Sequence, residues 1–134
     1  MAYFTIAVFI LIALFHVYMG LGGKMNYQYV LPTMKGKPLP FHSLAALPVA
    51  FLLAISAIAF AHEANITGPL MYSALLEKYL WLTGIALISR GLGGLIFFHA
   101  LNMMIDRGHF KTWDLRLYSP LTIYLGIHCL IVLN

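Results

Sequence analysis

Arg90 interrupts an apolar run from Tyr79 to Ile105 that carries no other charge. A guanidinium in hydrocarbon costs about 3 kcal/mol or more, so such a residue turns inward, takes a partner, and often marks a polar binding site. The chemistry it offers is recognition, because five N–H donors in a flat fork suit carboxylate, phosphate or carbonyl oxygens. At 1.5 Å per residue, Arg90 lies roughly 16 Å and His16 roughly 20 Å from the same membrane face. His16 is therefore the first expected partner, followed by Tyr18 and Ser56. Arg90, His16 and Tyr18 form the candidate ligand-binding set, and a purely structural tie is the competing role for Arg90.

A second polar group is His99, Asn102, Met103 and Asp106, spaced i, i+3, i+4 and i+7 and hence on one helix face. His99 and Asp106, joined by Asp114, are the acid–base candidates should the chain be an enzyme. A polar helix end at the headgroup level explains the same pattern. His99 is nine residues from Arg90, about half a turn round the helix, so the two belong to separate pockets. Six histidines raise the question of haem, whose axial ligands must face one another at matched depth. His16, His62, His99 and His128 all fall at different depths, so haem is disfavoured and no cofactor is expected. No His-x-x-x-His spacing is present, so no metal site is expected either.

The elements that must hold these residues follow from composition. Of 134 residues 62% are hydrophobic and 9% charged, against about 25% charged in a soluble domain. An all-α polytopic membrane protein is expected, one domain over residues 1–134 with four transmembrane helices. The apolar segments are about residues 2–21, 44–61, 79–104 and 119–133, each near the 20 residues that span a bilayer. Ser43 is the expected N-cap of the second span, and Pro48 is tolerable in its first turn. The first and third connections hold six basic residues and the second holds one. The positive-inside rule then puts both termini outside. A net charge of +4 spent on topology gives no reason to expect nucleic acid.

The strings His16-Val17-Tyr18-Met19-Gly20-Leu21-Gly22-Gly23, Leu31-Pro32-Thr33, Arg90-Gly91 and Trp113-Asp114-Leu115-Arg116-Leu117-Tyr118-Ser119-Pro120 occur in this order. Together they resemble the domain of unknown function 3995 family, small bacterial membrane proteins of four helices. The resemblance covers nearly the whole chain, and its most specific part is the Trp-Asp to Tyr-Ser-Pro string. It implies a bacterial inner-membrane location and lends no activity. It emphasises His16, Tyr18, Arg90, Trp113, Asp114, Tyr118 and Pro120. Structural roles suffice for the last four: Trp113 and Tyr118 in an interfacial belt, Asp114 capping a helix near Ser119, Pro120 at its first position.

The expected function is a non-enzymatic membrane module. It binds a lipid or quinone-like molecule between its helices, or serves as a small accessory subunit with a protein partner or in a homo-oligomer. The alternative is a membrane enzyme acting on a lipidic substrate at the cytoplasmic interface, with His99, Asp106 and Asp114 as its acid–base groups.

Overall fold

The computed structural model describes the chain apart from residues 25, 27–28, 32, 35–36, 39–41, 69 and 101–108, and describes the backbone alone of 33–34, 37–38 and 97–100. Helix α1 (Ala2–Gly20) leads into a small antiparallel hairpin, β1 (Thr33–Met34) with β2 (Lys37–Pro38). A 3₁₀ turn (Ser43–Ala45) opens α2 (Ala46–Glu63), and α3 (Ser73–Ala100) follows. Helix α4 (His109–Trp113) passes through a π-helical turn (Asp114–Tyr118) into α5 (Ser119–Val132) without a break. Among the described residues four helical stretches are long and apolar enough to cross a membrane: Ala2–Gly20, Ser43–Glu63, Ser73–Ile96 and His109–Val132. The expected four spans are borne out.

Two helix ends show how local chemistry sets the boundaries. Gly22 adopts φ +80, its N–H reaches Met19 O, and Gly23 N–H reaches Tyr18 O. This double closure is a Schellman motif, which needs a left-handed residue just past the helix. Asn65, at φ 55, closes α2 in the same way onto His62 O and Ala61 O. Ser43 does not cap α2: it opens the 3₁₀ turn, and no side-chain cap bond forms there.

Two further boundaries differ from expectation. The third span starts at Ser73, six residues before the expected point, and the fourth at His109, ten residues before. Both extensions carry charged residues, which hydropathy counts as though each met lipid alone.

The helices pair as two antiparallel hairpins, α1 with α2 and α3 with α5. They meet in a core of Phe9, Ala57, Ala59, Phe60, Leu80, Leu125 and Cys129. Every one of these comes from the half of its helix nearer the chain termini. In three of the spans only 22% of an 18-residue apolar stretch is buried inside the bundle. The remainder present side chains such as Phe4, Leu11, Leu14, Leu82 and Ile131 outward, a surface suited to lipid and far more apolar than water tolerates. The chain is a multi-pass membrane protein.

Candidate functional site

The site begins with Pro120. A proline inside a continuing helix has no N–H to give and crowds the carbonyl four residues back. The turn just before it is widened to i→i+5 closure, with Ser119 N–H bonded to Asp114 O, a common way to relieve such crowding. That spacing also stacks Asp114 beneath Ser119, whose hydroxyl donates to Asp114 Oδ2 at 2.8 Å. Asp114 consequently points into the protein and is completely buried.

Two glycines make room for it on α3. A methyl group at Gly94 would lie 2.7 Å from both Asp114 Oδ2 and Arg90 Nη1, and one at Gly91 would lie 2.8 Å from Ser119 O. The contact therefore requires glycine at both positions. It lets α3 and α5 approach closely, as small residues do in membrane interfaces. Gly94 is also four residues beyond Arg90, so the arginine side chain can run along the helix across it. Arg90 Nη2 donates to Asp114 Oδ1 and forms an ion pair there. Each carboxylate oxygen thus accepts one hydrogen bond, and the charge of the pair is balanced.

This pairing departs from the sequence expectation. His16 uses its Nδ1 on Ile12 O of its own helix at 2.8 Å. The Tyr18 hydroxyl donates to Lys24 O at 3.1 Å, with its ring packed beside Gly23. Ser56 donates to Leu52 O at 2.9 Å. None of the three makes a hydrogen bond to Arg90 among the described residues. The reason is the pair of shifted boundaries: Asp114 lies inside a span, and the earlier start of α3 carries Arg90 roughly 9 Å further along its helix than expected. Asp114 is likewise no helix cap, since the chain is already helical from His109.

The other emphasised residues have structural settings. Trp113 is exposed on the bundle surface. Tyr118 donates to Tyr29 O at 3.3 Å, and the Tyr29 ring stacks on His109 with centroids 4.7 Å apart. These contacts strap the first connection to the start of α4. Pro120 sits in the first turn of α5. The side chain of His99 and all of Asp106 lie outside the described residues, so the expected acid–base group is represented by Asp114 alone. Among the described residues no cluster of three His, Cys, Asp or Glu is placed to hold a metal ion.

What distinguishes the ion pair is its asymmetry. The Asp114 side chain has no exposed surface and that of Arg90 has 46%. Helical phase shows which way Arg90 projects. Tyr79 and Arg90 are eleven residues apart, about three turns, and share one side of α3. At Tyr79 that side meets α2, the hydroxyl donating to Leu52 O at 2.6 Å and lying 3.2 Å from Ser56 Oγ. The facing stripe of α2 is Ala59, Ser56, Leu52 and Val49, exposed by 0%, 1%, 50% and 41%. The two hairpins are in contact at this level. Arg90 lies roughly 16 Å further along α3, and its guanidinium is turned to Asp114. Sequence reasoning found Arg90 and missed Asp114 as its partner.

The family model described as "Protein of unknown function (DUF3995)" matches residues 9–129. No curated protein and no solved structure matches the chain.

Proposed function

We propose that this chain, which belongs to the DUF3995 family of proteins of unknown function, is a non-enzymatic membrane module that holds a lipid or quinone-like molecule between its helices. The observation carrying this reading is the half-exposed Arg90 above a fully buried Asp114. Asp114 cancels the charge but occupies only part of a five-donor fork. The remaining N–H groups belong to a side chain that is nearly half exposed, in surroundings where an unfilled donor is costly. A group that accepts hydrogen bonds without bringing a full charge answers this best, and a quinone carbonyl or a lipid ester is such a group.

Both oxygens of Asp114 are engaged, one by Arg90 and one by Ser119. This favours binding over the alternative of an enzyme acting on a lipidic substrate. The basic first and third connections favour the orientation in which they face the cytoplasm of a bacterial inner membrane.

The test is native mass spectrometry of the protein released from nanodiscs made from its host membranes. Wild type should retain a small amphiphile. Arg90→Lys, which keeps the charge and gives up the fork, should weaken retention. Wild-type protein that carries no small molecule, or retention indifferent to Arg90→Lys, overturns the reading.

A further inference from the structure

A second amphipathic site lies at the opposite end of α3. A groove of about 610 Å³ opens there between α3 and the end of α5, within the range of small-molecule sites. Glu77, Lys78 and Trp81 line it from α3 and Asn134 from the end of the chain, with Leu82 and Leu130 completing the walls. On α3 the charged pair comes first, the indole one turn on, and leucine beside it, so polarity falls with distance from the helix end. Glu77 and Lys78 are both exposed, and neither forms an ion pair among the described residues. The groove therefore carries one free charge of each sign, an indole, and an apolar floor at the level where a span leaves the membrane.

From this charge pattern we infer that the groove is a headgroup site for a zwitterionic phospholipid, separate from the surroundings of Arg90. Lys78 takes the phosphate as a point charge. Glu77 takes the ammonium, whose other side rests on the face of Trp81. The acyl chains follow Leu82 and Leu130 into the bilayer. An anionic lipid satisfies Lys78 and leaves Glu77 opposed to a like charge, so the site prefers a headgroup with both charges. Tryptophan at this level suits the interface for the same reason, with an apolar body and one polar edge.

The experiment uses nanodiscs of equal phosphatidylethanolamine and phosphatidylglycerol, with co-purifying lipid read by native mass spectrometry. Wild type should carry about threefold more of the zwitterionic lipid, the discrimination a partly exposed ion pair supplies. Glu77→Gln should bring the ratio to parity, and Lys78→Gln should lower retention of both lipids. Both residues are exposed and unpaired, so these variants should fold as wild type. Arg90→Lys should leave the ratio untouched, which separates this site from the one proposed above. In a Trp113→Phe background, phosphatidylethanolamine with brominated chains should quench Trp81. Equal retention in wild type, a preference for phosphatidylglycerol, or a ratio unmoved by Glu77→Gln overturns the inference.

Discussion

Arg90 pairs with an Asp114 that has no exposed surface, while nearly half of the arginine side chain stays open. The two residues belong to different helices and lie 24 positions apart in the chain. Their contact joins α3 to the π-helical turn.

Removing one partner should cost more than removing both. Arg90→Leu strands a buried carboxylate, and breaking such a pair costs about 3 kcal/mol. Arg90→Leu combined with Asp114→Leu removes both charges and should recover most of that loss. Thermal unfolding in detergent gives the comparison, and a double variant less stable than Arg90→Leu alone would contradict it.

Two glycines one residue apart should behave oppositely. At Gly94 a methyl group meets Asp114 and Arg90, whereas at Gly93 nothing lies within 4 Å. Gly94→Ala should destabilise by about 1–3 kcal/mol through overpacking. Gly93→Ala should stabilise slightly, by about 0.5–1 kcal/mol, through helix propensity. Melting temperatures of the two variants, measured side by side, decide this.

Tyr79→Phe removes the hydroxyl that α3 offers to Leu52 O of α2. The carbonyl keeps the Ser56 hydroxyl, so the loss should be about 1 kcal/mol, a typical net hydrogen bond. Cysteine pairs set across α2 and α3 should then cross-link less efficiently near Leu52, while pairs within each hairpin are unchanged.

Tyr118→Phe frees the Tyr29 carbonyl, and Tyr29→Ala also removes the stack on His109. Limited proteolysis of the first connection should accelerate in both variants, more in Tyr29→Ala. The helices themselves should remain protected.

The four spans were legible in the sequence because hydropathy over some twenty residues is a sum, insensitive to any one position. The need for an Arg90 partner was legible too, since the cost of an isolated charge in lipid is independent of the fold. The partner was not. Asp114 sits among Arg107, Lys111 and Arg116, a cluster that reads as a loop and a membrane boundary. What turns it inward is the widened turn ahead of Pro120, a change in helical phase that an i, i+4 reading passes over.

The order of synthesis gives the ion pair one more consequence. A ribosome delivers α3 to the membrane before Asp114 has been translated, so Arg90 arrives with its charge uncompensated. An arginine inside a span subtracts up to about 3 kcal/mol from insertion, and α3 regains it only when the last helix enters alongside. The final two helices are thus one unit of membrane integration, and a chain released between residues 100 and 109 would hold its third helix with little to spare.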